Sequence, residues 1–209
     1  MANVNAARGL IPVRYLNGAP YNGAHNLYLI PATDGTPTFV GDAVSLAGSA
    51  GSAGTIVAGV DVEGMPTVNQ SAAGSTPVGV VVGFMPRPDA LTTLRRDSSV
   101  ATIALVADDP NLIFEVQEDS LVSTLKAADV AENVDLVVAA GNATTGVSGV
   151  MLDSSTHTTS AATCRILRLV PRVDNQMGDG TLNSSSTTSP YAKWEVMLAE
   201  HAYRIVASV

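Results

Sequence analysis

The residues able to do chemistry are few in this chain, and they are scattered. Asp108-Asp109-Pro110 sets two acids side by side, with Glu115, Glu118 and Asp119 close behind. Paired carboxylates can share a proton or hold a divalent cation. Neighbouring strand residues point to opposite faces, however, and Asp-Asp-Pro is turn chemistry. His25, His157 and His201 lie far apart, and no H-E-x-x-H or similar short zinc spacing occurs. Asp153, Ser154, Ser155 and His157 supply the residue types of a nucleophilic triad. No G-x-S-x-G elbow frames a serine, so the stretch reads as a polar loop. Cys164 opens the apolar run CRILRLV and reads as a buried structural thiol. As the single cysteine it excludes an intrachain disulfide and a Cys-rich zinc site. GSAGSAG at 48–54 lacks the lysine of a phosphate loop and reads as a linker. The sequence thus nominates no catalytic residue, no cofactor site and no metal site.

The arginines are a different matter. Arg87, Arg95 and Arg96 crowd into MPRPDALTTLRRD, and Arg165, Arg168 and Arg172 recur along one later segment. The formal net charge is −8, so these cations suit either intrachain ion pairs or bidentate contacts to acidic groups of a partner. A general nucleic-acid surface is disfavoured, because phosphate binding needs clustered cations and only two lysines are present, Lys126 and Lys193. Aromatic residues make up 4% of the chain, too few for a base- or sugar-stacking platform.

The elements that must position these residues read as strands. Among 209 residues, 46% are hydrophobic and only 14% charged, which excludes a disordered acidic tail. Short Val/Ile/Leu runs at 25–30, 43–46, 78–84, 100–106, 112–117, 134–139, 164–170 and 191–198 sit between Gly/Pro punctuation, and 203–206 is a last candidate. In LIFEVQE, Leu112, Phe114 and Val116 share one face; in KWEVML, Trp194, Val196 and Leu198 do. VGVVVGF shows no polar alternation and reads as a strand covered on both faces, with Gly79 and Gly83 marking bulges or close backbone approach. One segment, LVSTLKAADVAEN after Ser120, has a helical look, with Leu121 and Leu125 one turn apart. The fold expected is all-β, a jelly-roll-like β-sandwich or barrel with at most one or two short helices. Residues 1–24 are expected as an extended N-terminal arm and 25–209 as a single β-sandwich domain, with loops near 47–59 and 180–190. The first 33 residues hold Arg8 and Arg14 but no acid, which suits an arm lying across another chain; a first edge strand with a loop explains them equally well. No secretory signal and no apolar run of the roughly 20 residues needed to span a membrane is seen, so a soluble product retained where it is made is expected.

Taken in order, several phrases resemble one family. They are MANVNAARGLIPVRYLNGAPYNG, YLIPATDGTPTFVGDAVSLAG, STPVGVVVGFMPRPD, VADDPNLIFEVQED, ADVAENVDLVVAAGNATTGVSGVMLDSST, RILRLVPRVDNQMG and AKWEVMLAEHAY. Their succession is similar to the cement, or decoration, proteins of tailed-bacteriophage capsids. That resemblance implies a non-enzymatic structural role without cofactors: binding the outside of the mature shell, bridging neighbouring major capsid proteins, and self-association as a homodimer or homotrimer. It implies a place on the virion exterior after synthesis in the host cytoplasm, with no direct nucleic-acid or membrane partner. It supplies no contact residues. Composition points to Arg8, Arg14, Tyr15 and Tyr21 on the arm, and to Arg87, Arg95 and Arg96 at a loop edge. The rival expectations are a β-sandwich module for carbohydrate or host-surface attachment, and an enzyme using acids between Asp108 and Asp119 or the Asp153/His157 stretch.

Overall fold

Alternation in LIFEVQ becomes a strand in which Leu112, Phe114 and Val116 enter the main core while Glu115 faces out. The computed structural model describes residues 3–180 and 190–204. In chain order the strands are β1 (Ile11–Tyr15), β2 (Asn26–Ile30), β3 (Ala43–Ala50), β4 (Ile56–Val57), β5 (Val60–Asp61), β6 (Pro66–Gln70) and β7 (Gly79–Phe84). They continue with β8 (Thr102–Ala107), β9 (Leu112–Gln117), β10 (Asn133–Val134), β11 (Leu136–Val137), β12 (Met151–Leu152), β13 (Cys164–Leu169) and β14 (Lys193–Leu198). The chain is all-β. A closed barrel runs β2-β6-β3-β7-β8, and an open five-stranded sheet runs β1-β9-β14-β13-β10. No helix among the described residues is long and apolar enough to cross a membrane.

Three apolar clusters hold these layers. Tyr28, Ile30, Val44, Val68, Val81 and Val106 pack together from all five barrel strands and fill the barrel. Val80, Ala43 and Ala107 leave the barrel by the opposite face and join Phe114, Trp194 and Val196 of the sheet in one shared core. The small β4–β5 hairpin adds Val57 to Leu29 and Ile103 on the outer barrel wall. The strand VGVVVGF is therefore covered on both faces, as its unbroken hydrophobicity requires. Its glycines act as expected: a Cβ on Gly79 would stand 2.5 Å from the Ala107 carbonyl oxygen, and the β7–β8 register shifts between Val81 and Gly83.

Several sequence expectations change. Residues 3–24 do not leave the body as an arm. Ile11–Tyr15 pairs antiparallel with β9 as an edge strand, and Leu10 is buried in the shared core. The entry is a crossing of two backbones: the Leu10 amide donates to the Gly41 carbonyl at 2.9 Å, and a Cβ on Gly9 would lie 2.3 Å from that oxygen. Both glycines have φ in the left-handed region, which they adopt without the side-chain clash. The Gly/Ala/Ser tract is not a loop throughout, because β3 continues to Ala50 against β6. The helical expectation after Ser120 reduces to one 3-10 turn, Ala127–Asp129. There the Leu125 amide donates to the Glu118 side chain (2.8 Å) and the Ser123 hydroxyl to the Ser154 carbonyl (2.9 Å), and these side-chain bonds replace those of a regular helix. The run 134–139 divides at Asp135, whose amide and carboxylate bind Thr156 and Thr163, so that β10 pairs with β13 but β11 with β12. The tract at 182–189 and residues 205–206 of the last candidate strand lie outside the described residues, and Tyr203 and Arg204 sit in a turn.

Candidate interaction surface

The β7–β8 connection starts with Pro86 and Pro88, which cannot donate to a sheet ladder and so lift the chain off the barrel. Two successive turns follow, Ala90 amide to Arg87 carbonyl and Thr93 amide to Ala90 carbonyl, both 3.1 Å. They present Leu91 (72% exposed) and Leu94 (59%) to solvent. The base of this projection is held by arginines. Arg87 clasps Asp89 through two bonds of 3.2 and 2.6 Å and holds that carboxyl below its usual range. Arg95 pairs with Asp97 at 2.8 Å and donates to the Ala143 carbonyl.

Arg96, expected at the surface as a contact, is instead completely buried. Its guanidinium donates to four carbonyls: Val100 (2.9 Å), Thr36 (2.5 Å), Pro31 (2.9 Å) and Asp34 (2.6 Å). The Asp34 carboxylate lies 3.4 Å away. Its backbone exchanges two hydrogen bonds with Thr38. A rigid planar fork is the side chain able to satisfy so many diverging carbonyls at once. Arg96 therefore anchors the projection and leaves contact to its neighbours.

The N-terminal residues lie on the open sheet. Arg14 donates to Glu195 at 2.6 Å, beside the two bonds of 2.9 and 2.7 Å from Arg168. Glu195 stands directly across from Glu115 on β9, and Arg172 neutralises that second glutamate with bonds of 2.8 and 2.6 Å. Like charges facing each other across strands repel. Here Arg168 first, then Arg14, keeps the Glu195 carboxyl below its usual range. Arg14 is thus tied into its own chain, while Arg8 is exposed. Tyr15 and Tyr21 are half-buried with ring centroids 6.4 Å apart, and the Tyr21 hydroxyl donates to the Ala24 carbonyl.

Arg8 and Tyr21, but not Arg14 or Tyr15, line a cleft that neighbours the projection. An apolar cleft beside Arg8 is lined by Pro12, Tyr21, Val82 and Val147. A second cleft lies under the projection, between Phe84, Arg87, Leu94 and Arg95. Val40 lines both clefts, so the one beside Arg8 and Tyr21 adjoins the one under the exposed leucines. Leu91 and Leu94 had no signal in the sequence beyond sitting among arginines in a proline-started loop.

The other chemical candidates do not assemble. Asp109 caps its own turn through the Asn111 amide, and Asp108 receives Asn26 and Tyr28. Ser155 bonds Asp153, whereas His157 turns away to Glu132, so the triad residues diverge. Cys164 is fully buried, and burial pushes its thiol pKa up, away from reactivity. Glu118 and Asp119 are both buried but point apart: Glu118 accepts from the Leu125 and Ala192 amides and the Trp194 indole, Asp119 from Ser154. Burial first of all raises the Glu118 carboxyl to about 7. One grouping was invisible in sequence: Asp129, Glu132 and His157 offer ligand atoms all within 4.8 Å of one another. No protein-family model matches the chain, and no curated protein or solved structure matches it either.

Proposed function

We propose that the chain is a non-enzymatic structural protein that docks on the outside of a mature phage capsid and bridges neighbouring major capsid proteins. The observation that carries this reading is the projection with Leu91 and Leu94 at its tip, fixed from beneath by Arg96 and adjoining the apolar cleft at Val40. Exposed leucines cost little on a monomer singly, but a contiguous apolar surface rimmed by charge marks an interaction site. Because Arg96 holds the tip in place, little ordering entropy is lost on docking. Repetition over a symmetric lattice, and self-association as a homodimer or homotrimer, would multiply a modest contact. The succession of sequence phrases, which resembles that of decoration proteins, supports the same partner.

The test is co-sedimentation of the purified protein with mature shells stripped of it, beside unexpanded procapsids. Saturable binding to mature shells with raised resistance to heat rupture is expected. Replacing Leu91 and Leu94 together by serine removes two apolar contacts, worth about 3 kcal/mol or more on burial, so binding should weaken at least a hundredfold. Binding to neither particle by the folded protein refutes the reading, and specific hits on a glycan array would replace it with a carbohydrate module.

A further inference from the structure

We infer that Asp129, Glu132 and His157 form a binding site for a divalent transition-metal ion, with Zn²⁺ the best fit. The three donors come from two pieces of chain. Asp129 closes the 3-10 turn Ala127–Asp129, Glu132 precedes β10, and His157 lies in the connection leading to β13. The backbone brings them together. Asn133 and Thr158 exchange two hydrogen bonds of 2.8 Å, and Glu132 and His157 are the residues just before each of them. Asp129 is almost fully buried, and its Oδ2 is fixed by the Lys126 amide at 3.0 Å. Its Oδ1 faces His157 Nδ1 at 3.8 Å, too far for a hydrogen bond, while Glu132 Oε2 lies 2.9 Å from the same nitrogen.

One imidazole nitrogen thus confronts two carboxylates. Zinc holds nitrogen and carboxylate oxygen at about 2.0–2.2 Å, which places tetrahedral ligands about 3.4 Å from one another. The distances from His157 Nδ1, 2.9 and 3.8 Å, straddle that value, and all three donor atoms lie within 4.8 Å of one another, so movement of the partly exposed Glu132 and His157 side chains would close the three around an ion. Glu132 and His157 keep a quarter to a third of their side chains open to solvent, leaving a side from which water can complete the shell. Calcium and magnesium are poorer fits, because both call for shells built from oxygen. An ion here would staple the 127–132 segment to the 153–163 connection, at the β10 edge of the open sheet.

The test uses the full chain, freed of metal with a chelator and titrated calorimetrically with ZnCl₂, with MgCl₂ as comparison. One ion per chain at micromolar affinity is expected, with a melting temperature raised by roughly 5–10 °C at a hundredfold excess over Kd. His157→Ala and Glu132→Gln, both at partly exposed positions, should fold with unchanged circular dichroism and lose the uptake. His25→Ala should keep it. Absence of zinc uptake by the wild-type chain, or undiminished uptake by the folded His157→Ala variant, overturns the site.

Discussion

Replacing Arg96 tests the link between a buried ion and an exposed contact. Its guanidinium gives four hydrogen bonds to carbonyls and faces the Asp34 carboxylate. Bonds from a charged donor contribute about 1.5–3 kcal/mol each, but desolvating the guanidinium offsets much of that sum. The usable figure is the cost of removing one side of a buried polar network, about 3–5 kcal/mol. Arg96→Met fills much of the volume yet leaves the carbonyls of Pro31, Asp34, Thr36 and Val100 without that donor, so we expect about 4 kcal/mol. Arg96→Lys keeps a charge on one nitrogen that cannot span the fork, so about 2 kcal/mol is expected. Urea unfolding followed by Trp194 fluorescence reads both, since that single tryptophan is buried in the shared core. For a chain of this size the Met variant should melt roughly 8–16 °C lower. Limited proteolysis at 86–97 should rise in step, and shell binding should fall although Leu91 and Leu94 are intact. A Met variant with less than about 1 kcal/mol lost, or with shell binding unchanged, would refute the anchoring argument.

Two further outcomes follow from the packing. Glu118 has its carboxyl raised from the ordinary 4.5 to about 7 by burial. A raised folded value means its contribution is fully present below the unfolded value and is lost as pH climbs through about 7, by at most about 3 kcal/mol. Unfolding free energies measured from pH 4.5 to 8 should therefore fall less steeply in Glu118→Gln than in wild type; parallel curves would show that Glu118 does not titrate in this window. Deleting residues 1–15 should unfold or strongly destabilise the chain, because it removes β1 from β9, Leu10 from the core and Arg14 from Glu195. A deleted chain that melts like the full one would return the segment to the status of a dispensable arm.

Much of the architecture was legible in the sequence because strand patterning is local. LIFEVQ and KWEVML announce an inward face by alternation, and both inward faces are found as read, although Ile113, Gln117, Glu195 and Met197 on the opposite faces are buried as well, so neither strand is half-buried. VGVVVGF announces double coverage by lacking alternation, and its two glycines mark a tight approach and a register shift. Strand β1 was legible only as an edge strand no better supported than an arm, and β6 escaped notice, since IPVRY and PTVNQ are short, proline-bearing and only partly apolar; pairing with β9, and with β2 and β3, makes them strands. The segment after Ser120 keeps a single 3-10 turn, Ala127–Asp129, of the one or two short turns its spacing suggests. Its helical spacing is real, but the nearby Glu118 carboxylate takes the Leu125 amide and Ser154, 31 residues away, takes the Ser123 hydroxyl.

The candidate sites divide along the same line. Sequence alone determined an all-β, acidic, cysteine-poor chain with arginines concentrated in two stretches. It could not separate Arg96 from Arg95 and Arg87, because adjacent guanidiniums look alike until one of them meets four carbonyls contributed by residues 31–36 and 100. Nor could it join Asp129 and Glu132 to His157, which lies 25 residues beyond Glu132. Burial and convergence are properties of the closed tertiary structure, set by which backbones cross, whereas patterning and charge are carried by each short stretch on its own.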